Sequence, residues 1–212
     1  MKNMFTFIIW DIDGTLLDTS SGVYTAIDYT LSSMGESRSR EEITRMVHSS
    51  TITKAFGEVA GFDSRRTLEA VDIFRTRYME KDILKAKTYP GIIEILRELH
   101  SNGVKQAVVS NKRDDCAKKI CSHFKIDAYC SPIIGADRYN SLSKKDLLSR
   151  CLGKLNCKTP QDAIQIGDTE GDKQAASEKG VKFLGVNYGY GFRDVKGYAN
   201  SPEDILRKLE QI

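Results

Sequence analysis

Phe5-Thr6-Phe7-Ile8-Ile9-Trp10-Asp11-Ile12-Asp13-Gly14-Thr15-Leu16 is the stretch that decides how the rest of the chain is read. Phe5–Trp10 is short, apolar, aromatic and β-branched, the pattern of a strand buried on both faces. It stops at two carboxylates, Asp11 and Asp13, and then at Gly14, which permits a sharp turn. Strands buried on both faces belong to parallel sheets, whose carboxyl ends line the ligand crevice. Two residues apart, Asp11 and Asp13 can both reach that crevice from a strand that is running out. Taken alone, Asp-Gly is also a common turn, so the reading depends on what the other strands carry.

Downstream, the texture changes twice. From about Ser20 to Leu84 the pattern is helical. Val23, Ala26, Ile27, Leu31 and Met34 form a first stripe at helical spacing. Further helices are predicted over Glu41–Val47, Ile52–Ala60 and Ser64–Leu84, and no strand is. After Tyr89-Pro90-Gly91 comes the apolar helix face Ile92, Ile95, Leu96 and Leu99, for which Pro90 is a suitable opening residue. Strands then alternate with helices. The strands are Gln106–Ser110, Tyr129–Ile134, Ala163–Ile166 and Lys182–Val186; the helices lie near Asp114–His123, Lys144–Leu155, Asp172–Lys179 and Pro202–Leu209. This alternation predicts an α/β core, a parallel sheet covered on both faces. The helical block interrupts it as an inserted cap. Residues 1–17 and 88–212 are assigned to the core and 18–87 to the cap, with hinges near Leu17–Thr19 and Lys87–Tyr89.

Composition narrows the classes. With 40% hydrophobic and 29% charged residues, the 212-residue chain can bury a core and is neither collagen-like nor a disordered tail. Its apolar runs fall far short of the roughly 18 residues of a membrane span, so no membrane partner is expected. Thirty-two basic residues face 29 acidic ones and are scattered, which argues against a nucleic-acid partner. Five cysteines, an odd number with no C-x-x-C pair, read as free thiols of a cytoplasmic protein. The start of the chain, at Lys2, lacks the apolar run and cleavage site of a secretory signal. The three histidines show no ligand spacing, so zinc is not expected.

Three further signals join the first. Ile166-Gly167-Asp168-Thr169-Glu170-Gly171-Asp172 again places acids after an apolar strand, with Asp168 at the strand end and Asp172 at a helix start. An acid there is also an ordinary cap. Four carboxylates converging on one crevice repel one another and call for a cation, and hard oxygen ligands suit Mg²⁺ better than Zn²⁺. Val108-Val109-Ser110-Asn111-Lys112 is a strand ending in a hydroxyl; the Ser110 side chain and the Asn111 N–H could bind phosphate oxygens near a helix start. Lys144 opens a helix, against the dipole preference for acids at that end, and an anion nearby would explain it.

Together, in the order Asp11, Ser110, Lys144, Asp168, these motifs resemble the haloacid dehalogenase-like hydrolase superfamily over nearly the whole chain. The closest likeness is to its phosphoglycolate phosphatase-like branch, which carries a helical cap after the first motif. Tyr89-Pro90-Gly91 and Asn187-Tyr188-Gly189-Tyr190-Gly191 are also similar to that branch. The resemblance implies a Rossmann-like parallel sheet core with an inserted all-helical cap, and Mg²⁺-dependent hydrolysis of a small phosphorylated metabolite through an aspartyl-phosphate. It implies Asp11 as nucleophile and Asp13 as general acid/base. Ser110, Asn111 and Lys144 would hold the phosphoryl group. The metal ligands would be Asp11, Asp13 (through its main-chain carbonyl), Asp168, and Asp172 as ligand or second-sphere carboxylate. Relatives often have Lys-Pro where this chain has Lys144-Lys145; Lys144 is preferred, because Asp146-Leu147-Leu148 then falls where the family's helix continues, with Lys145 as the alternative.

Other readings stand beside it. A dehalogenase does not need Asp13 or Mg²⁺. A phosphomutase shares the core residues, and a non-catalytic phosphoryl-accepting signalling module shares the sheet and the acids. A monomer or homodimer is expected.

Overall fold

The computed structural model describes residues 5–138 and 141–212; Lys2 lies outside them. Two compact units divide the chain. One combines the chain up to Asp18 with Thr88–Ile212, and the other is Thr19–Lys87.

The first unit is built on β1 (Phe7–Trp10), β4 (Lys105–Arg113), β5 (Cys130–Ala136), β6 (Ala163–Gly167) and β7 (Lys182–Gly185). These strands form one sheet in the order β5-β4-β1-β6-β7, with every neighbouring pair parallel. β1 is central. Its Trp10 stands level with Val108 of β4 on one side and Ile166 of β6 on the other. The chain leaves β1 toward both flanks, so the carboxyl end of β1 is the point where strand order reverses and a ligand crevice opens.

Ile8, Ile9 and Trp10 are fully buried, as a strand covered on both faces requires. On one face Phe7, Ile9, Val109 and Ile134 pack with Leu147, Leu148 and Leu152 of α7 (Lys144–Lys154) and with Ala175 and Ala176 of α8 (Glu170–Glu178). α5 (Ile92–Ser101) and α6 (Asp114–His123) cover the other face. There Trp10 Nε1 donates to Gln106 Oε1 (3.1 Å), and Gln106 Nε2 donates to the Leu96 carbonyl (2.8 Å), which satisfies a buried indole and a buried amide together. α9 (Asp204–Leu209) ends the chain.

The second unit holds α1 (Ser20–Ser33), α2 (Arg40–Val47), α3 (Ile52–Lys54) and α4 (Ser64–Arg77). Ser39 and Glu42 close a reciprocal cap at α2, and Asp63 caps α4. Phe56 packs on Phe62 and Phe74, and Phe74 on Tyr78, with ring centroids 5.4 to 6.3 Å apart.

Two expected helices end early. Ile52–Ala60 turns into a wide π-type turn at Ala55–Val59, where Gly57 gives poor helical support. Ser64–Leu84 stops at Arg77 and continues as a π turn over Tyr78–Asp82 and a 3₁₀ turn over Ile83–Lys85. The irregular turns fold the buried Asp82 carboxylate between Arg77 (2.7 Å) and Lys85 (2.8 Å). Where no strand was expected, β2 (Leu17–Asp18) and β3 (Lys87–Thr88) pair as a two-stranded ribbon; two residues carry too little alternation to be read as a strand. α5 opens after Gly91 rather than at Pro90.

Candidate functional site

Asp11 follows β1 and is still held in the ladder: its N–H donates to the Ile166 carbonyl of β6 at 2.9 Å. The next residues turn tightly, with the N–H groups of Leu16 (3.0 Å) and Leu17 (2.9 Å) both donating to the Ile12 carbonyl. Gly14 takes φ +81°, and a Cβ there would lie 2.3 Å from Asp168 Oδ2, so conformation and space both exclude a side chain. The turn leaves Asp11 buried and Asp13 partly exposed.

Asp168 follows β6 with no exposure. Its Oδ2 accepts the N–H groups of Tyr190 (2.6 Å) and Gly191 (3.2 Å), while its Oδ1 is buried without a partner. Burial pushes its carboxyl up to about 6; the Tyr190 and Gly191 N–H groups oppose this and Asp172 adds to it. Asp172 lies in the first turn of α8, which opens at Glu170, two residues earlier than expected. Its Oδ2 accepts from Thr169 N (3.2 Å) and Thr169 Oγ1 (2.5 Å), and its Oδ1 from Gln165 Nε2 (3.1 Å). Gly167 makes room for it, since a Cβ there would lie 2.5 Å from Asp172 Cγ.

Lys144 is the first residue of α7, after the N-cap Ser143. Its ammonium contacts Asp11 Oδ1 and stands 2.9 Å from Asp172 Oδ1. Burial works against the charge, but the Asp11 and Asp172 carboxylates outweigh it and hold the lysine pKa above its ordinary value. For Asp11, burial pushes the carboxyl well above the usual range; Lys144 opposes, and Asp172, Asp168 and Asp13 add. Lys145 turns outward to Glu178 (3.1 Å). Lys144, the lysine preferred on the motif, is thus the one that stands at Asp11.

Ser110 is buried in β4, with its Oγ accepting the Lys112 N–H at 3.1 Å. Asn111 is half-buried. β4 does not stop at Ser110 as expected but runs to Arg113 with an irregular register against β5, so α6 begins three residues beyond Asn111. α6 itself opens at Asp114, where it was expected.

Asp11, Asp168 and Asp172 each offer an oxygen within 4.8 Å of the others'. Asp13 is not in that group; its Oδ1 pairs with Lys112 Nζ at 3.0 Å. Convergence thus involves three carboxylates rather than four. Hard oxygen donors, and a buried Asp168 Oδ1 with no donor, fit a small divalent cation. Asp172 fits less well as a direct ligand, because both its oxygens already accept from Thr169, Gln165 and Lys144.

Sequence reasoning missed Lys112, the Tyr190 and Gly191 N–H groups, and Gln165. Lys112 follows Ser110 by two residues, the alternation of a continuing strand, and that was its available signal. Backbone donors carry no side-chain signal. Gln165 was the one polar residue inside an apolar strand.

All five cysteines are free, four of them buried. Among the described residues no helix is long and apolar enough to cross a membrane.

A family model for haloacid dehalogenase-like hydrolases matches residues 8–186. A phosphoglycolate phosphatase of Aquifex aeolicus is 32% identical over 186 residues, covering 86% of this chain and 85% of that protein. A 5'-nucleotidase of Pseudomonas aeruginosa is 29% identical over 189 residues, covering 88% and 85%. Among solved structures, a predicted phosphatase from Clostridium acetobutylicum matches with a TM-score of 0.89 and 27% identity, covering 99% of this chain and 100% of that one.

Proposed function

The chain belongs to the haloacid dehalogenase-like hydrolase family, and on that premise we propose that it hydrolyses a small phosphate monoester with Asp11 as the nucleophile. It is a phosphoric monoester hydrolase with an α/β fold; the aspartyl-phosphate route, the metal and the substrate are the proposal. The observation that carries it is the placement of the Lys144 ammonium on Asp11 at the carboxyl end of the central strand, with the unpartnered oxygen of Asp168 alongside.

A carboxylate oxygen of Asp11 attacks phosphorus, a P–O bond forms, and the ester P–O bond breaks. Asp13 gives its proton to the departing alkoxide. Water then attacks the phosphorus of the acyl-phosphate, Asp13 takes a proton from it, and Asp11 and inorganic phosphate are released. Lys144, Ser110 and the Asn111 N–H hold the phosphoryl oxygens, so their charge is met by donors already in place. Asp11 and Asp168 would hold Mg²⁺, with the Asp13 carbonyl, and Asp172 supports from behind through Lys144. Bound there, Mg²⁺ supplies positive charge against the repulsion between a carboxylate and a phosphate dianion.

The names of a phosphoglycolate phosphatase and a 5'-nucleotidase among its relatives support a small phosphorylated metabolite as the substrate, with phosphoglycolate as the first candidate to test, and a cytoplasmic site of action suits such a substrate. The test is release of inorganic phosphate from p-nitrophenyl phosphate and a metabolite panel, with Mg²⁺ or with chelator. Asp11→Asn should lower turnover by at least about a thousandfold while the fold is kept. Turnover by Asp11→Asn near the natural rate refutes the nucleophile. Phosphoryl transfer to a second sugar hydroxyl, in place of phosphate release, identifies a mutase instead.

A further inference from the structure

Gln165 lies in the middle of β6 with no solvent exposure, in register with Ile9 of β1 and Phe183 of β7. Its neighbours along the strand, Ala163, Ile164 and Ile166, are apolar and fully buried. An amide in such a place loses its hydration and must recover it in hydrogen bonds. Gln165 recovers only part. Its Nε2 donates to Asp172 Oδ1 at 3.1 Å, and its Oε1 has no partner. Chemistry fixes which end faces Asp172, since a carboxylate oxygen can only accept. A methionine would fill nearly the same volume without leaving an oxygen stranded, so packing alone does not account for glutamine here.

What the amide does hold is one oxygen of one carboxylate. Asp172 Oδ2 is fixed by Thr169, and Oδ1 by Gln165 from the strand and by Lys144 from α7. Lys144 Nζ reaches Asp11 from the same position. With Gln165 absent, Oδ1 is left to Lys144, and the carboxylate can swing with the ammonium it should be anchoring. We propose that Gln165 is a positioning residue for phosphoryl transfer: it locks Asp172 so that Lys144 is presented to Asp11 in a fixed place. This rests on the reading of Lys144 and Asp11 given under Proposed function. The group acts through two others and touches neither substrate nor metal. Loose support of a catalytic charge degrades the transition state more than ground-state binding.

The test pairs two buried glutamines. Gln165→Met should melt at or above the unaltered protein, because a stranded polar atom is removed, while kcat falls about tenfold or more on every phosphate ester with KM changed less than about twofold. Gln106→Met is the matched control: it strands Trp10 Nε1 and the Leu96 carbonyl on the opposite face of the sheet, so it should lower stability and leave kcat unchanged. Gln165→Leu serves as a second variant. If both Gln165 variants melt well below the unaltered protein, the amide is a structural member and the inference is overturned. Retained kcat in Gln165→Met overturns it as well, provided Lys144→Ala in the same assay is impaired. A fully active Lys144→Ala would instead remove the reading of the site on which the inference stands.

Discussion

Asp168→Asn should stabilise the protein in chelator at pH 8 and leave its stability unchanged near pH 4. Asp168 is fully buried, and its carboxyl is pushed from an ordinary 3.8 up to about 6. The sign follows from linkage. Below about pH 4 the acid is protonated in both the folded and the unfolded chain, and its burial carries no charge penalty. As pH rises through 4 the unfolded chain ionises while the folded one resists, so stability is lost progressively until the folded group ionises near pH 6. Above that the loss is complete. A gap of about two pK units at 1.36 kcal/mol each amounts to about 3 kcal/mol. Asparagine is neutral throughout, and its carbonyl oxygen can accept the Tyr190 and Gly191 N–H groups that Oδ2 now accepts. Its amide nitrogen takes the place of the oxygen that has no donor. For a chain of this length, about 3 kcal/mol corresponds to roughly 6–12 °C in Tm. Urea unfolding in chelator at pH 8, 6 and 4, for both proteins, measures it. Added Mg²⁺ at pH 8 should stabilise the unaltered protein and not the variant, which should have no activity. A variant less stable than its parent at pH 8, or a difference that does not change with pH, would refute the reasoning.

Lys144→Ala should lower turnover on every phosphate ester by about a hundredfold or more and destabilise the fold by about 3–5 kcal/mol, because it leaves Asp11 and Asp172 buried without their cation. Lys145→Ala, on an exposed lysine paired with Glu178, should change neither kinetics nor urea midpoint. Gly167→Ala would place a methyl 2.5 Å from Asp172 Cγ and drive that carboxylate off Lys144; steady-state assays should show turnover falling, at a stability cost of about 1–3 kcal/mol.

The core strands were legible because each contains a short apolar run, and β1 and β6 are followed directly by acids, Asp11 and Asp168; both features are local. The break of α3 at Lys54 and of α4 at Arg77 was not. The break of α4 depends on where Asp82 finds Arg77 and Lys85, an ion-pair preference that helical periodicity does not encode. The choice between Lys144 and Lys145 is a matter of helix phase. Leu147, Leu148 and Cys151 face the sheet, and neighbours on a helix point about 100° apart, so only one lysine can follow that face into the crevice. The Lys112–Asp13 pair was hidden for a different reason. It exists because β4 continues past Ser110, and strand length set by irregular pairing with β5 leaves little mark on composition.

The unpaired polar atoms bind these features together. Among the described residues, the buried side-chain atoms without a hydrogen-bond partner are Thr15 Oγ1, Asp82 Oδ1, Gln165 Oε1 and Asp168 Oδ1. Asp82 Oδ1 still has the Lys85 ammonium at 2.8 Å. The other three lie in the turn after β1, within β6 and just past its end. Stranded polar atoms each cost stability, so a chain shaped only for stability would scatter or remove them. Their concentration around Asp11 means that the cost is tolerated where the fold must present carboxylates and an ammonium to a charge supplied from outside. A cation is the partner that would satisfy Asp168 Oδ1, and stability in chelator is where its absence should be felt.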